Sequence, residues 1–291
     1  HDFTVENCTN NGGYDGSGVG GIVGYGSYNF TAKRCVNNHQ INGWGSGGIV
    51  GNRCANFTVT ECTNNGNINS YGGGGICGAN VGSNAYEYIN NTFNTKTYHS
   101  GKNVILIEKC TNNGIIDDGD AGGICGKYCG IIRSYLDSDY TRPQMGMKIT
   151  INNCVNNGTF DGEYDSGAIV GPCAGAFYMD NDSNSNYGLP HTEIYMNDCY
   201  TASSGYTGYG ALFGYDVLDN DVVDYGDHGA FHSRSSVTVR RSFTADNSQK
   251  IIQSYGDYVS TPQNSIIYVD NMGTVTDLIS NPSFTASVYI D

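Results

Sequence analysis

One motif recurs six times along this chain, and it limits the folds available more than anything else in the sequence. FTVENCTNNG from Phe3, FTAKRCVNNH from Phe30, FTVTECTNNG from Phe57, ILIEKCTNNG from Ile105, ITINNCVNNG from Ile149 and IYMNDCYTAS from Ile194 read alike. Each is followed by a second signature: GGIVG at Gly20 and Gly47, GGICG at Gly74 and Gly122, GAIVG at Gly167 and GALFG at Gly210. The step from the motif cysteine to that first glycine is 12, 12, 12, 12, 13 and 11 residues. Two weaker copies, from Val237 and Ile266, put Ser242 and Met272 in the cysteine column. A fixed period of this kind marks a repeat architecture rather than a set of unrelated domains.

Within the unit the apolar positions alternate. Five residues before the cysteine stand Phe3, Phe30, Phe57, Ile105, Ile149 and Ile194; three before it stand Val5, Ala32, Val59, Ile107, Ile151 and Met196. Period two is strand logic, with one face in and one face out. Ile22, Ile49, Ile76, Ile124, Ile169 and Leu212 supply a further apolar column. Asn-Asn-Gly and Gly-Gly separate these stretches and read as corners, since Asn and Gly tolerate positive φ. Three short strands and three corners in 27 residues describe one rung of a parallel β-solenoid.

The fold expected is therefore all-β: a single parallel β-helix (solenoid) domain over 1–291, with about eight rungs. Rungs are regular over 3–214 and degenerate over 215–291. From GGIxG to the next cysteine the step is 11 twice, then 32, 28 and 28. Every long insertion thus falls at one point of the unit, on one edge: Ala79–Asn103, Lys127–Met147 and Pro172–Thr192. An antiparallel sandwich explains short strands but not the period.

The repeat and its GGIVG signature resemble the GLUG-type repeats of secreted bacterial and other cell-surface proteins, over about Phe3–Gly214. The resemblance implies a surface or extracellular β-solenoid and carries no catalytic residue with it.

Equivalent residues of neighbouring rungs lie about 4.8 Å apart, within the Cα window of a disulfide. Cys8–Cys35, Cys62–Cys110, Cys154–Cys199, Cys77–Cys125 and Cys129–Cys173 are candidate bridges. Cys54 is left as a free or intersubunit thiol, or a partner for Cys62 across a corner. The alternative is a column of buried thiols acting as small apolar side chains. Cysteines in so polar a chain favour an oxidising, extracellular setting.

Six Asn-x-Ser/Thr sites occur, at Asn7, Asn29, Asn56, Asn90, Asn157 and Asn181. With 34 Asn in 291 residues that number is what chance gives, so placement has to decide. Asn29 and Asn56 precede a strand at a corner and Asn90 and Asn181 lie in insertions, so these four are expected to be exposed and open to glycan. Asn157 sits in an Asn-Asn-Gly corner where its amide is expected in a ladder, and Asn7 adjoins Cys8.

Lys plus Arg is 14 against 28 Asp plus Glu, a net charge of −14. That opposes nucleic-acid binding, which rests on neutralising phosphates. No apolar run is long enough to insert in a membrane as a helix. No cofactor is expected. Calcium is the one candidate, at Asp180, Asp182 and Asn184, where Ser185 and His191 do not match an EF-hand loop, or along Asp216–Asp227, whose simpler reading is a solvated loop. The best lyase-like cluster is Arg133 and Arg142 with Asp137 and Asp139, and no GxSxG, HExxH or phosphate-binding loop occurs, so no enzyme is expected.

The function expected is an extracellular structural protein: a glycosylated solenoid subunit assembling with copies of itself, head to tail, into a filament or cell-surface fibre. The pattern begins at residue 3 without a cap and the tail Ser283–Asp291 is strand-like, so strand addition between subunits is the expected contact. A glycan-binding adhesin segment using insertion tyrosines (Tyr86, Tyr88, Tyr98, Tyr128, Tyr135, Tyr140, Tyr178 and Tyr187) is the alternative, ahead of a polysaccharide lyase or hydrolase.

Overall fold

The protein is described here from a computed structural model covering residues 2–82, 87–88, 96–97, 103–134, 147–161, 166–175, 177–179, 192–202, 212–214, 236–244, 266–270 and 287–290. Among these residues there is no helix, hence none long and apolar enough to cross a membrane. The strands form three main sheets, all parallel, each ordered as the chain runs.

The first sheet holds nine described strands: Phe3–Glu6, Tyr28–Lys33, Ala55–Thr60, Asn103–Glu108, Met147–Asn152, Thr192–Asn197, Ser236–Arg240, Ile266–Asp270 and Ser287–Ile290. Phe3 pairs with Phe30, Phe30 with Phe57, Phe57 with Ile105, Ile105 with Ile149, Ile149 with Ile194, Ile194 with Val237, and Val237 with Ile267. Like therefore lies beside like. The second sheet joins seven two-residue strands from Thr9–Asn10 to Phe243–Thr244, and the third joins four, from Tyr14–Asp15 to Ile116–Asp117. Single parallel bridges carry the GGIxG segments alongside, Gly20 to Gly47 to Gly74 to Gly122 to Gly167.

Alternation decides which side chains enter the core. Phe30, Phe57, Ile105, Ile149, Ile194 and Val237 are buried with Ala32, Val59, Ile107, Ile151, Met196 and Val239, while the threonines between them face out. Each buried large apolar side chain contributes about 1.5–3 kcal/mol relative to exposure. The rings of Phe3 and Phe30 stack at 5.3 Å between centroids and those of Phe30 and Phe57 at 4.9 Å, nearly parallel. Ile41, Ile68 and Ile116 form a second, smaller core with Ala121.

The corners differ from the sequence reading. They turn on columns of left-handed residues, among them the following three. The first stands immediately before the cysteine column: Asn7, Arg34, Glu61, Lys109, Asn153 and Asp198, and Arg241 before Ser242, with φ between 45° and 56°. The second is Gly18, Gly45, Gly72 and Asp120; the third is Gly26, Arg53, Asn80, Tyr128 and Cys173. The motif glycines serve a different purpose, close approach of neighbouring backbones. A Cβ on Gly47 would lie 2.2 Å from the Val50 carbonyl oxygen, and one on Gly114 1.9 Å from that of Gly66.

One further expectation changes. Ser287–Ile290 pairs in parallel with Ile266–Val269, so this tail segment is taken up by its own sheet, as a ninth strand beyond the eight expected. Parts of the insertions also form strands. Ile132–Ser134 pairs in parallel with Phe177–Met179, and Glu87–Tyr88 pairs with Lys96–Thr97 as a short antiparallel ribbon.

Candidate functional site: core ladders and an aromatic edge

Two ladders of asparagine run along the second sheet. In the inner one the Nδ2 of Asn10 donates to the Oδ1 of Asn37 at 2.7 Å, Asn37 to Asn64 at 2.7 Å, Asn64 to Asn112 at 2.8 Å and Asn112 to Asn156 at 2.8 Å. Backbone partners fix the orientation of these amides. Asn37, Asn64 and Asn112 also donate to the carbonyls of His39, Gly66 and Gly114, and Asn112 Oδ1 accepts from Gly114 N–H. Asn37, Asn64, Asn112 and Asn156 are buried. They pack on the second glycine of the GGIxG signature: a Cβ on Gly48 would lie 2.4 Å from Asn64 Cγ, and one on Gly75 equally close to Asn112 Cγ. That contact explains why glycine stands there. In the next strand Thr201 takes the asparagine position, and its buried hydroxyl oxygen has no hydrogen-bond partner.

The outer ladder is exposed and runs the opposite way. Asn38 donates to Asn11, Asn65 to Asn38, Asn113 to Asn65 and Asn157 to Asn113, at 2.8–3.0 Å. Asn157 is thus in the ladder expected for it.

In this structure all eleven cysteines are free thiols, with Cys8 exposed and the rest buried. Cys35, Cys62, Cys110, Cys154 and Cys199 each donate Sγ–H to the carbonyl two residues back, at 3.3–3.4 Å. Ser242 continues the column: it accepts from Cys199 N–H at 3.1 Å and donates to Arg240 O at 3.0 Å. Cys77 and Cys125 are direct neighbours. Cys129 and Cys173 are not. Tyr128 N–H bonds to Pro172 O and Gly175 N–H to Cys129 O, which sets Cys129 beside Ala174 and Cys173 beside Tyr128. The insertion segments stay in register, with Cys125 beside Val170 and Ile132 beside Phe177, so cysteines three and two residues past GGIxG do not meet, which corrects the Cys129–Cys173 pairing. Cys54 is not a stray residue either, since it is buried in the same core as Val81, Cys129 and Ala174. Burial pushes its thiol up to about 12, and burial also raises that of Cys77.

The sequons are placed unevenly. Asp2, Asn29 and Asn56 form a short polar column, Asn29 donating to Asp2 and Asn56 Nδ2 donating to Asn29 Oδ1 at 3.0 Å. Asn29 is exposed. Asn56 is half-buried, with its Oδ1 also accepting from Val104 N–H, so the exposure expected for it is only partial. Both line a shallow groove of ≈ 490 Å³ with Phe30, Thr31, Phe57 and Thr58. Asn7 is exposed and accepts from Arg34 Nε at 2.9 Å. Asn90 and Asn181 lie outside the described residues, as do Arg142, the Asp180–Asn184 and Asp216–Asp227 stretches and several insertion tyrosines; for Tyr88, Arg133 and Tyr178 only the strand backbone is described. Among the described residues no group of three or more His, Cys, Asp or Glu comes together to hold a metal ion.

One edge carries the exposed rings. Gly18 N–H bonds to Trp44 O and Gly45 N–H to Tyr71 O, which makes Trp44 and Tyr71 equivalent residues of adjacent units. Both are exposed, and so is Tyr25, whose ring lies against Gly18 with Arg53 5.9 Å from its centroid. Where three units have glycine at the second corner, the fourth has Asp120, and beside it stands Lys127. The two form a buried ion pair, Tyr71 OH donates to Asp120, and the Lys127 ammonium lies 5.3 Å from the Tyr71 ring centroid and 4.9 Å from that of Tyr128. Burial alone lowers the Lys127 pKa, but the Asp120 carboxylate more than offsets it and holds the amine charged. Burial and the Asp120 carboxylate raise that of Tyr71. Sequence reasoning missed this edge. The signal available was Trp44 and Tyr71 one period apart.

No family model matches this chain, and neither do the curated proteins or the solved structures.

Proposed function

We propose that the chain winds as a parallel β-solenoid of about nine coils and serves as a structural subunit outside the cell, carrying sugar and stacking head to tail on copies of itself into a filament. The observation that carries this reading is the preserved register. Equivalent residues pair across consecutive units in three sheets, and the inner asparagine amides all donate in one direction. Such a ladder is polar, so its two ends are complementary rather than alike, as a head-to-tail contact requires. Solenoid coils contact only their neighbours, so the interactions that join coils within the chain also suit a contact between chains. The resemblance to GLUG-type repeats supports a surface location. Exposed Asn29 in its groove is the best-placed acceptor for glycan. The conserved geometry of the unit goes into ladders and corners, which favours a structural over a catalytic role.

Negative-stain microscopy of the purified chain over a range of concentrations tests the reading. Fibres that lengthen with concentration are expected; single short rods at every concentration would overturn it. Intact mass before and after deglycosylation tests the sugar, with a drop expected for protein from its native source.

A further inference from the structure

We propose that the edge bearing Tyr25, Trp44 and Tyr71 is a binding site for a neutral, pyranose-containing oligosaccharide lying along the axis of the strand stack. Trp44, Tyr71 and Tyr25 are 39%, 42% and 55% exposed on one edge. Such rings offer a flat apolar face and a polar rim, which suits a ligand whose C–H face is apolar and whose rim is hydroxylated. Glycine at 18, 45 and 72 leaves the corner beside them without side chains. Trp44 and Tyr71 are separated by one sheet spacing, about 4.8 Å along the axis, so the platform runs with the stack and favours a linear ligand.

The polar groups fit the same ligand. Tyr71 is held through its hydroxyl by the buried Asp120–Lys127 pair, so the ring is fixed in place as a stacking platform. Lys127 and Asp120 neutralise each other, and that argues for an uncharged ligand. Behind the rings Asn52 Nδ2 and Asn80 Oδ1 are buried without partners, a donor and an acceptor with unused capacity. An apolar protein surface fits less well, because glycines and the ion pair break up the rings. Nucleic acid fits less well again, given the net charge of −14. The proposal does not depend on filament formation.

Trp44 is the chain's one tryptophan, so its fluorescence reports the site alone. The full chain is titrated with neutral cello-, chito-, manno- and xylo-oligosaccharides. A saturable change in Trp44 emission is expected with at least one series. Tyr71→Ala, checked for unchanged circular dichroism, should weaken it about tenfold or more, the loss of roughly 1.4 kcal/mol. Tyr195→Ala, in the first sheet away from this edge, should bind like the parent. Absence of a saturable response across all four series, or equal binding by Tyr71→Ala and the parent, would overturn the proposal. Should Tyr71→Ala fail to fold, Trp44→Phe read by calorimetry replaces it, and undiminished binding there would count equally against the site.

Discussion

The two asparagine ladders are built from the same side chain at the same spacing, yet they differ in what surrounds them. The inner one, Asn10 to Asn156, is buried from Asn37 onward and packs on the GGIxG glycines; the outer one, Asn11 to Asn157, faces water. A buried amide that loses its partner keeps the full desolvation penalty, about 1–3 kcal/mol for each orphaned group, while an exposed amide exchanges its partner for water. Identical chemistry is therefore decisive on one side of the sheet and nearly neutral on the other.

The sharpest break is to change neighbours on the two ladders. Asn112→Ala removes four hydrogen bonds, to Asn64, Asn156 and both backbone groups of Gly114. We expect about 4 kcal/mol of destabilisation in urea, against less than about 0.5 kcal/mol for Asn113→Ala. Equal losses would refute the inside-outside distinction. Gly75→Ala attacks the inner ladder from the opposite wall. Its Cβ would lie 2.2 Å from Gly123 O and 2.4 Å from Asn112 Cγ. A loss of about 3 kcal/mol is expected by the same measurement.

Smaller effects belong to the corner between the two ladders and the first sheet. Lys109 is left-handed with φ 53°. Lys109→Val should cost about 1–2 kcal/mol, while Lys109→Gly should not lose stability, because only the former worsens the backbone strain. Thr201→Asn extends the inner ladder by one unit and gives Asn156 a further acceptor where the threonine hydroxyl is now unpartnered, and it is made together with Ala168→Gly because Ala168 stands where the other units offer the asparagine a glycine. A gain of about 1 kcal/mol is expected, seen as a higher urea midpoint. The last test changes no stability. Of eleven thiols only Cys8 is exposed, so Ellman's reagent should modify one sulfur in the native protein and all eleven after denaturation. Fewer than eleven in denaturant would mean that bridges exist.

Much of this was legible in the sequence. The period gave the register of the first sheet, including Ser242 in the cysteine column, because period-two burial leaves no freedom to slip by one residue. The point of insertion followed from spacing alone. What stayed hidden has a common cause: side-chain type does not announce backbone conformation where the side chain points to solvent. Arg34, Glu61 and Lys109 carry left-handed corners without Asn or Gly to mark them. The motif glycines suggested positive φ, whereas they are selected by close approach of backbone and asparagine. Cys129 and Cys173 stand three and two residues past GGIxG, and because the strands keep register that single residue separates them. Lys127 and Asp120 are seven residues apart in a glycine-rich stretch, and only the fold shows that they pair in a buried site.

The central claim is that residues one repeat apart lie side by side in parallel, and proton–proton contacts measured by NMR test it most directly. The account predicts cross-strand backbone contacts between Thr31 and Thr58, ring contacts between Phe30 and Phe57, and contacts between the side-chain amides of Asn37 and Asn64. Contacts that instead fold Tyr28–Lys33 back on a sequence neighbour as an antiparallel hairpin, with none between residues 27 apart, would contradict it.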